Sequence, residues 1–112
     1  MSFIVDNSEF PTYSIFKLKG RILSDEDLKQ AHALLENRKN WKLILDLSEL
    51  TNTNSIGIAF MVKCLTRARI NQGEVVLIQP NTALQRVFEI TKMHEVFNIM
   101  NDLDAAINYL NQ

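Results

Sequence analysis

Few residue types in this chain could do covalent or acid–base chemistry, and their spacing excludes most of it. His32 and His94 are the only histidines, and Cys64 is the only cysteine. No Cys/His/Asp/Glu spacing suits a metal site. His32 stands between Ala31 and Ala33 in a predicted helix, and His94 follows another; both read as structural, His94 at a helix end. Cys64 falls mid-helix and reads as a small core filler rather than a nucleophile. Asn54-Ser55-Ile56-Gly57 has the wrong frame for a nucleophile elbow, and no glycine-rich phosphate loop occurs. No pair of groups could serve as base plus nucleophile, so neither an enzyme nor a bound cofactor or metal is expected.

One segment remains, residues 46–58. An apolar strand runs into a polar loop and then into a helix whose first turn contains Ser55. A phosphate on Ser55 would meet the free backbone N–H groups and the positive end of the helix dipole. The plainer alternative is that Asn54 and Ser55 only cap the helix. At 100° per residue, Ile58, Met61, Val62 and Leu65 share one face, expected to be the core face. Ile56 and Phe60 then point away from the core, beside Lys63 and Arg67. With Asn54 and Gly57 they make a predicted docking patch around Ser55, unless the first helix or a loop covers it.

The elements that would position this segment follow from periodicity and punctuation. Residues 3–5 and 13–19 read as two strands joined across Phe10-Pro11-Thr12, and Gly20 ends the second. Ser24, with Asp27 three residues on, starts a helix that Leu28, Ala31, Leu34 and Leu35 carry to about Arg38. Residues 41–47 form the densest apolar run, a strand buried on both faces, and residues 74–79 form another. A helix over 55–71 lies between them and Gly73 closes it; helices over 83–92 and 102–110 flank a short strand at 96–99. The order β-β-α-β-α-β-α-β-α predicts a mixed, largely parallel sheet of about five strands with about four helices, mainly on one side.

With 112 residues, the chain suits one domain, residues 1–112, and 46% hydrophobic content supports a real core. A net charge of −1 gives no field for nucleic acid. No apolar run approaches the roughly 20 residues that cross a bilayer. The first residues lack the pattern of a signal peptide, and a single cysteine fits a reducing compartment, so a cytoplasmic protein is expected.

The ordered set of motifs resembles the STAS family, the sulfate transporter and anti-sigma factor antagonist domains. Leu18-Lys19-Gly20-Arg21-Ile22 follows the second strand, and residues 43–50 supply the family's Leu-Asp-Leu-Ser strand. Asn54-Ser55-Ile56-Gly57-Ile58 stands where the family has Asp-Ser-Ser/Thr-Gly-Leu-Gly. Residues 68–77, 87–93 and 96–97 match later stretches. The resemblance implies a bacterial protein-interaction module of partner-switching signalling, whose partners are an anti-sigma factor that is also a serine kinase, and a phosphatase. Carried over by position, the phosphorylated serine is Ser55. Asn54 and Leu23 stand where the family has aspartates, and Ile56 replaces its second hydroxyl residue. The replaced carboxylates suit an alternative, a STAS-like subunit of a transport complex that binds an ATPase without phosphorylation. A small-molecule or nucleotide-binding module is a third reading.

Overall fold

The computed structural model describes residues 3–36 and 38–112. Five strands, β1 (Phe3–Glu9), β2 (Ser14–Ile22), β3 (Lys42–Thr53), β4 (Glu74–Ile78) and β5 (Asn98–Met100), form one sheet in the order β1-β2-β3-β4-β5. β1 is antiparallel to β2, and every other neighbour is parallel. The helices are α1 (Lys29–Leu35), α2 (Ser55–Ile70), α3 (Thr82–Ile90) and α4 (Leu103–Leu110). Short 3-10 turns, Glu26–Leu28 and Met93–Glu95, precede α1 and β5. The mixed sheet and the element order are those the sequence predicts.

Alternation within each strand decides which side it serves. Phe16, Leu18, Leu43, Leu45, Leu47, Val75 and Leu77 join one cluster with residues of α1, α2 and α3. Ile44, Val76 and Ile78 face the other way, onto Ala106 and Leu110 of α4. Three crossover helices therefore cover one face, while α4 alone packs on the other. The face left open over β1–β3 carries ion pairs instead: Lys17 to Glu49 and Lys19 to Asp6, both at 2.8 Å. These pairs hold the lysines' pKa values above the ordinary value and that of Glu49 below it, through hydrogen bonding first and charge second.

Several boundaries differ from expectation for identifiable reasons. The polar stretch after Leu47 is not a loop, because β3 continues to Thr53. Lys17 pairs with Asp46 but Lys19 with Glu49, and Gly20 with Leu50 but Arg21 with Asn52, so β3 bulges by one residue at two places. The first bulge returns Leu50 to the core and leaves Glu49 on the open face. Backbone pairing with β2 thus overrides the polar composition of residues 48–53. Ser24 makes the reciprocal bonds predicted for it, although the first helical turn takes its N-cap from Asp25, one residue on. Ser24 Oγ accepts from the Asp27 N–H (3.4 Å), and Asp27 Oδ2 accepts from the N–H groups of Ser24 (3.1 Å) and Leu23 (2.9 Å). The α-helix nevertheless ends at Leu35 rather than near Arg38; position 37, within the predicted helix, lies outside the described residues, as do Met1 and Ser2.

Arg38 is instead drawn inward. Its guanidinium donates to the carbonyls of Leu34 and Asn40 (both 3.2 Å), to Ser14 Oγ (2.6 Å) and to Glu9 Oε2 (3.3 Å). It also lies 4.9 Å from the centre of the Phe16 ring. One side chain thereby joins β1, β2, the end of α1 and the entry to β3.

Candidate functional site

The long β3 delivers the chain to the start of α2, and Asn54 makes the turn. Its backbone is extended (φ −123°, ψ −165°), and its Oδ1 accepts from the Ile56 N–H at 2.9 Å, which satisfies one of the open donors of the first helical turn. The other end of the same amide donates to the Leu23 carbonyl at 3.1 Å. Asn54 thus ties the end of β2 to the start of α2. A carboxylate at this position could cap the helix but would set oxygen against oxygen at Leu23. The two positions where the sequence lacks the family's aspartates are physically one unit.

Ser55 follows in the first turn, exposed, with no hydrogen bond to its side chain among the described residues. It lies on the rim of a cleft of about 470 Å³ between α2 and the segment leading into α1, which Asp25, His32, Ile56, Ala59, Phe60 and Lys63 also line. Ile56 is half-buried and packs against the core. Leu23, 42% exposed, sits beside Asn54. The apolar surface next to Ser55 is therefore Leu23, Ile56 and Ala59.

Phe60 and Gly57 do not sit where the sequence placed them. Phe60 is 2% exposed and belongs to the core cluster, covered by α1: His32 meets it edge-on, ring centres 5.1 Å apart. Lys63 Nζ donates to His32 Nδ1 at 3.0 Å, and Arg67 pairs with Glu36 at 3.4 Å. Phe60, Lys63 and Arg67, spaced i, i+3 and i+7 on α2, thus meet His32 and Glu36, spaced i and i+4. That complementary spacing is the sequence signal that α1 covers this flank. Gly57 is buried where α2 crosses β3; a Cβ there would overlap Thr53 Oγ1 and approach Ile22 Cδ1 to 3.3 Å. It sets the approach of the helix to the sheet and presents no side-chain surface. Of the predicted patch, Asn54, Ser55 and Ile56 stay at the surface, while Lys63 and Arg67 are half-buried in the seam with α1.

Sequence reasoning passed over Asp25 and His32 as neighbours of Ser55, whereas Leu23 was placed there by the resemblance, as a replaced aspartate. Neither Asp25 nor His32 carried a signal, because each reaches the cleft from an element distant in sequence. The pKa of His32 lies below the ordinary histidine value, first because burial disfavours the imidazolium and then because the Lys63 ammonium is adjacent. Its Nδ1 is the acceptor for Lys63, as a neutral ring requires. Cys64 lies on the core side of α2, and burial pushes its thiol up to about 12, so it carries no thiolate for chemistry. No group of three or more His, Cys, Asp or Glu among the described residues could hold a metal ion. No helix among them is long and apolar enough to cross a membrane.

The STAS domain model matches residues 7–106, nearly the whole of the sheet and its helices. The chain belongs to the STAS family. One relative by sequence is the Bordetella bronchiseptica protein BtrV, named as an anti-sigma factor antagonist, 28% identical over 81 residues, which are 72% of this chain and 70% of that protein. Among solved structures, an anti-sigma factor antagonist from Mycobacterium paratuberculosis superposes with a TM-score of 0.86 at 18% identity, covering 99% of this chain and 96% of that one. The Bacillus cell-fate determinant SpoIIAA in its phosphorylated form superposes with a TM-score of 0.73 at 15% identity, covering 96% and 97%. At such identities the superpositions establish a shared fold, that of the anti-sigma factor antagonists.

Proposed function

We propose that this STAS protein docks onto a partner through the surface around Ser55, and that phosphorylation of Ser55 by a serine kinase that is also an anti-sigma factor controls the docking. A phosphatase reverses it, and the exchange takes place in a bacterial cytoplasm, without catalysis by this chain. The observation that carries the reading is an exposed serine hydroxyl in the first turn of α2, on the rim of a cleft floored by Ile56, Ala59 and Phe60. A phosphate adds close to two negative charges there. The helix dipole tolerates them. A partner that must dry the apolar surface of Leu23, Ile56 and Ala59 does not, and the Asp25 carboxylate on the same cleft adds like charge. That SpoIIAA has been solved in phosphorylated and unphosphorylated forms supports a switch compatible with this fold.

The test uses the cognate kinase and ATP. Intact-mass measurement should show one added phosphate, Ser55→Ala should block it, and Ser55→Asp should weaken partner binding. Ile56→Asp should weaken binding in a variant that still folds, at a modest cost in stability because the residue is half-buried against the core. No phosphorylated species in native cells, with binding unchanged in Ser55→Asp, would remove the switch. That result would favour the second reading, constitutive docking onto the ATPase of a transport complex. The bond from the Asn54 amide to the Leu23 carbonyl favours it, because it makes an uncharged, mutually satisfied pair beside the serine.

A further inference from the structure

A second concavity lies at the C-terminal ends of β4 and β5, and it shares no lining residue with the cleft of Ser55. It measures about 440 Å³, within the range of small-ligand sites. Pro80 and Phe88, both buried, and the half-buried Ile99 form an apolar floor. Its rim is polar and held in place. Gln79 lines it with a left-handed backbone (φ 56°), a conformation that costs a non-glycine residue energy and recurs at ligand sites. Gln85 Nε2 donates to the Pro80 carbonyl at 3.0 Å, which leaves Oε1 as a free acceptor. His94 Nδ1 lies 3.2 Å from the Phe88 carbonyl; a carbonyl only accepts, so Nδ1 carries a proton, and in the tautomer protonated there alone Nε2 is an acceptor.

The fourth rim group is Glu89. Its carboxylate has no ion-pair partner among the described residues, and no lysine or arginine lines the cavity. Three acceptors, one of them charged, thus surround an apolar floor with no cation to answer them. Gln79 and Asn101 add side-chain amides that can donate or accept, but an anion would face the Glu89 charge with no lysine or arginine to offset it, whereas a flat cation would find both the floor and the acceptors.

We propose that this cavity binds a small planar organic cation of the amidinium or guanidinium class, its apolar body on Pro80, Phe88 and Ile99 and its N–H groups donating to Glu89, Gln85 Oε1 and His94 Nε2. The fork of such a cation matches a carboxylate in two parallel hydrogen bonds. No residue of this site lines the cleft of Ser55, and its occupant is not the partner proposed to dock there.

The test is an amide-shift titration of the isotope-labelled full chain with three isosteric probes: benzamidine, benzamide and benzoate. Benzamidine should give saturable shifts centred on Gln85, Glu89 and His94, with those of Ser55 and Ile56 unmoved. Benzoate should give none, and benzamide should bind at least about tenfold more weakly. Glu89→Gln, at an exposed position where the fold does not depend on it, should weaken benzamidine by about tenfold or more. Equal binding of benzamide, unchanged binding to the Glu89→Gln variant, or shifts that are diffuse and never saturate would each overturn the assignment.

Discussion

Gly57→Ala sets two effects of opposite sign against each other at the start of α2. Helix propensity alone favours alanine over glycine by up to about 1 kcal/mol, and by less in a first turn. Packing opposes it. The new Cβ would overlap Thr53 Oγ1, with Thr53 Cβ at 3.1 Å and Ile22 Cδ1 at 3.3 Å behind it. Thr53 cannot withdraw freely, because it is buried and held by the β2–β3 ladder opposite Ile22. Overpacking of this kind costs about 1–3 kcal/mol. The expected net is a destabilisation of about 1–2 kcal/mol, or a fall in Tm of roughly 4–8 °C for a domain of this size. Urea unfolding of four proteins, wild type, Gly57→Ala, Thr53→Ala and the double variant, isolates the contact. Thr53→Ala removes the obstructing Oγ1, so the double variant should be more stable than the sum of the single effects by about 1–2 kcal/mol. If Gly57→Ala alone is stabilising, or if the two substitutions are additive, the close approach of helix to strand is not what requires glycine. Because Asn54, Ser55 and Ile56 ride on this turn, the Gly57→Ala variant should also bind the partner of the Ser55 surface more weakly.

Arg38→Ala should cost about 3 kcal/mol, since the side chain is only 6% exposed and two backbone carbonyls and Ser14 lose its donors; a loss below about 1 kcal/mol in thermal unfolding would contradict this. Arg38→Lys should recover less than half, because an ammonium cannot reproduce the planar fork. His32 has its folded pKa below the ordinary 6.5, so the unfolded chain binds the proton first; the contribution is fully present above about 6.5 and is lost as pH falls from there through the folded pKa. The urea midpoint should therefore drop across that window in the wild type and change less in His32→Gln; identical pH dependence in the two would show that His32 does not contribute.

The sheet and its order were legible in the chain because they depend on local signals. Dense apolar runs such as residues 43–45 and 75–78 leave no solvent face, and alternation in Phe16 and Leu18 against Lys17 and Lys19 fixes which side of β2 is buried. Caps were legible for the same reason: Ser24 with Asp27, and Asn54, act on N–H groups two or three residues away. The position of Ser55 in the first turn of α2 followed directly from them.

What surrounds Ser55 was decided only by elements far apart in sequence. Periodicity on α2 could say that Phe60 lies on a different side from Leu65, but a helix can bury two sides at once. Whether the second is covered depends on where α1 comes to rest, and that is set by the crossover geometry and by His32 and Glu36 meeting Lys63 and Arg67. The continuation of β3 through polar residues was equally hidden, since ladder hydrogen bonds to β2 satisfy the backbone whatever the side chains. Arg38 gave no local hint, because its partners Glu9 and Ser14 lie on other strands. Residue types and spacing therefore determined the fold, the capped turn and the exposed serine. Tertiary packing decided which apolar residues remain at the surface beside it, because burial belongs to pairs of elements and not to either one alone.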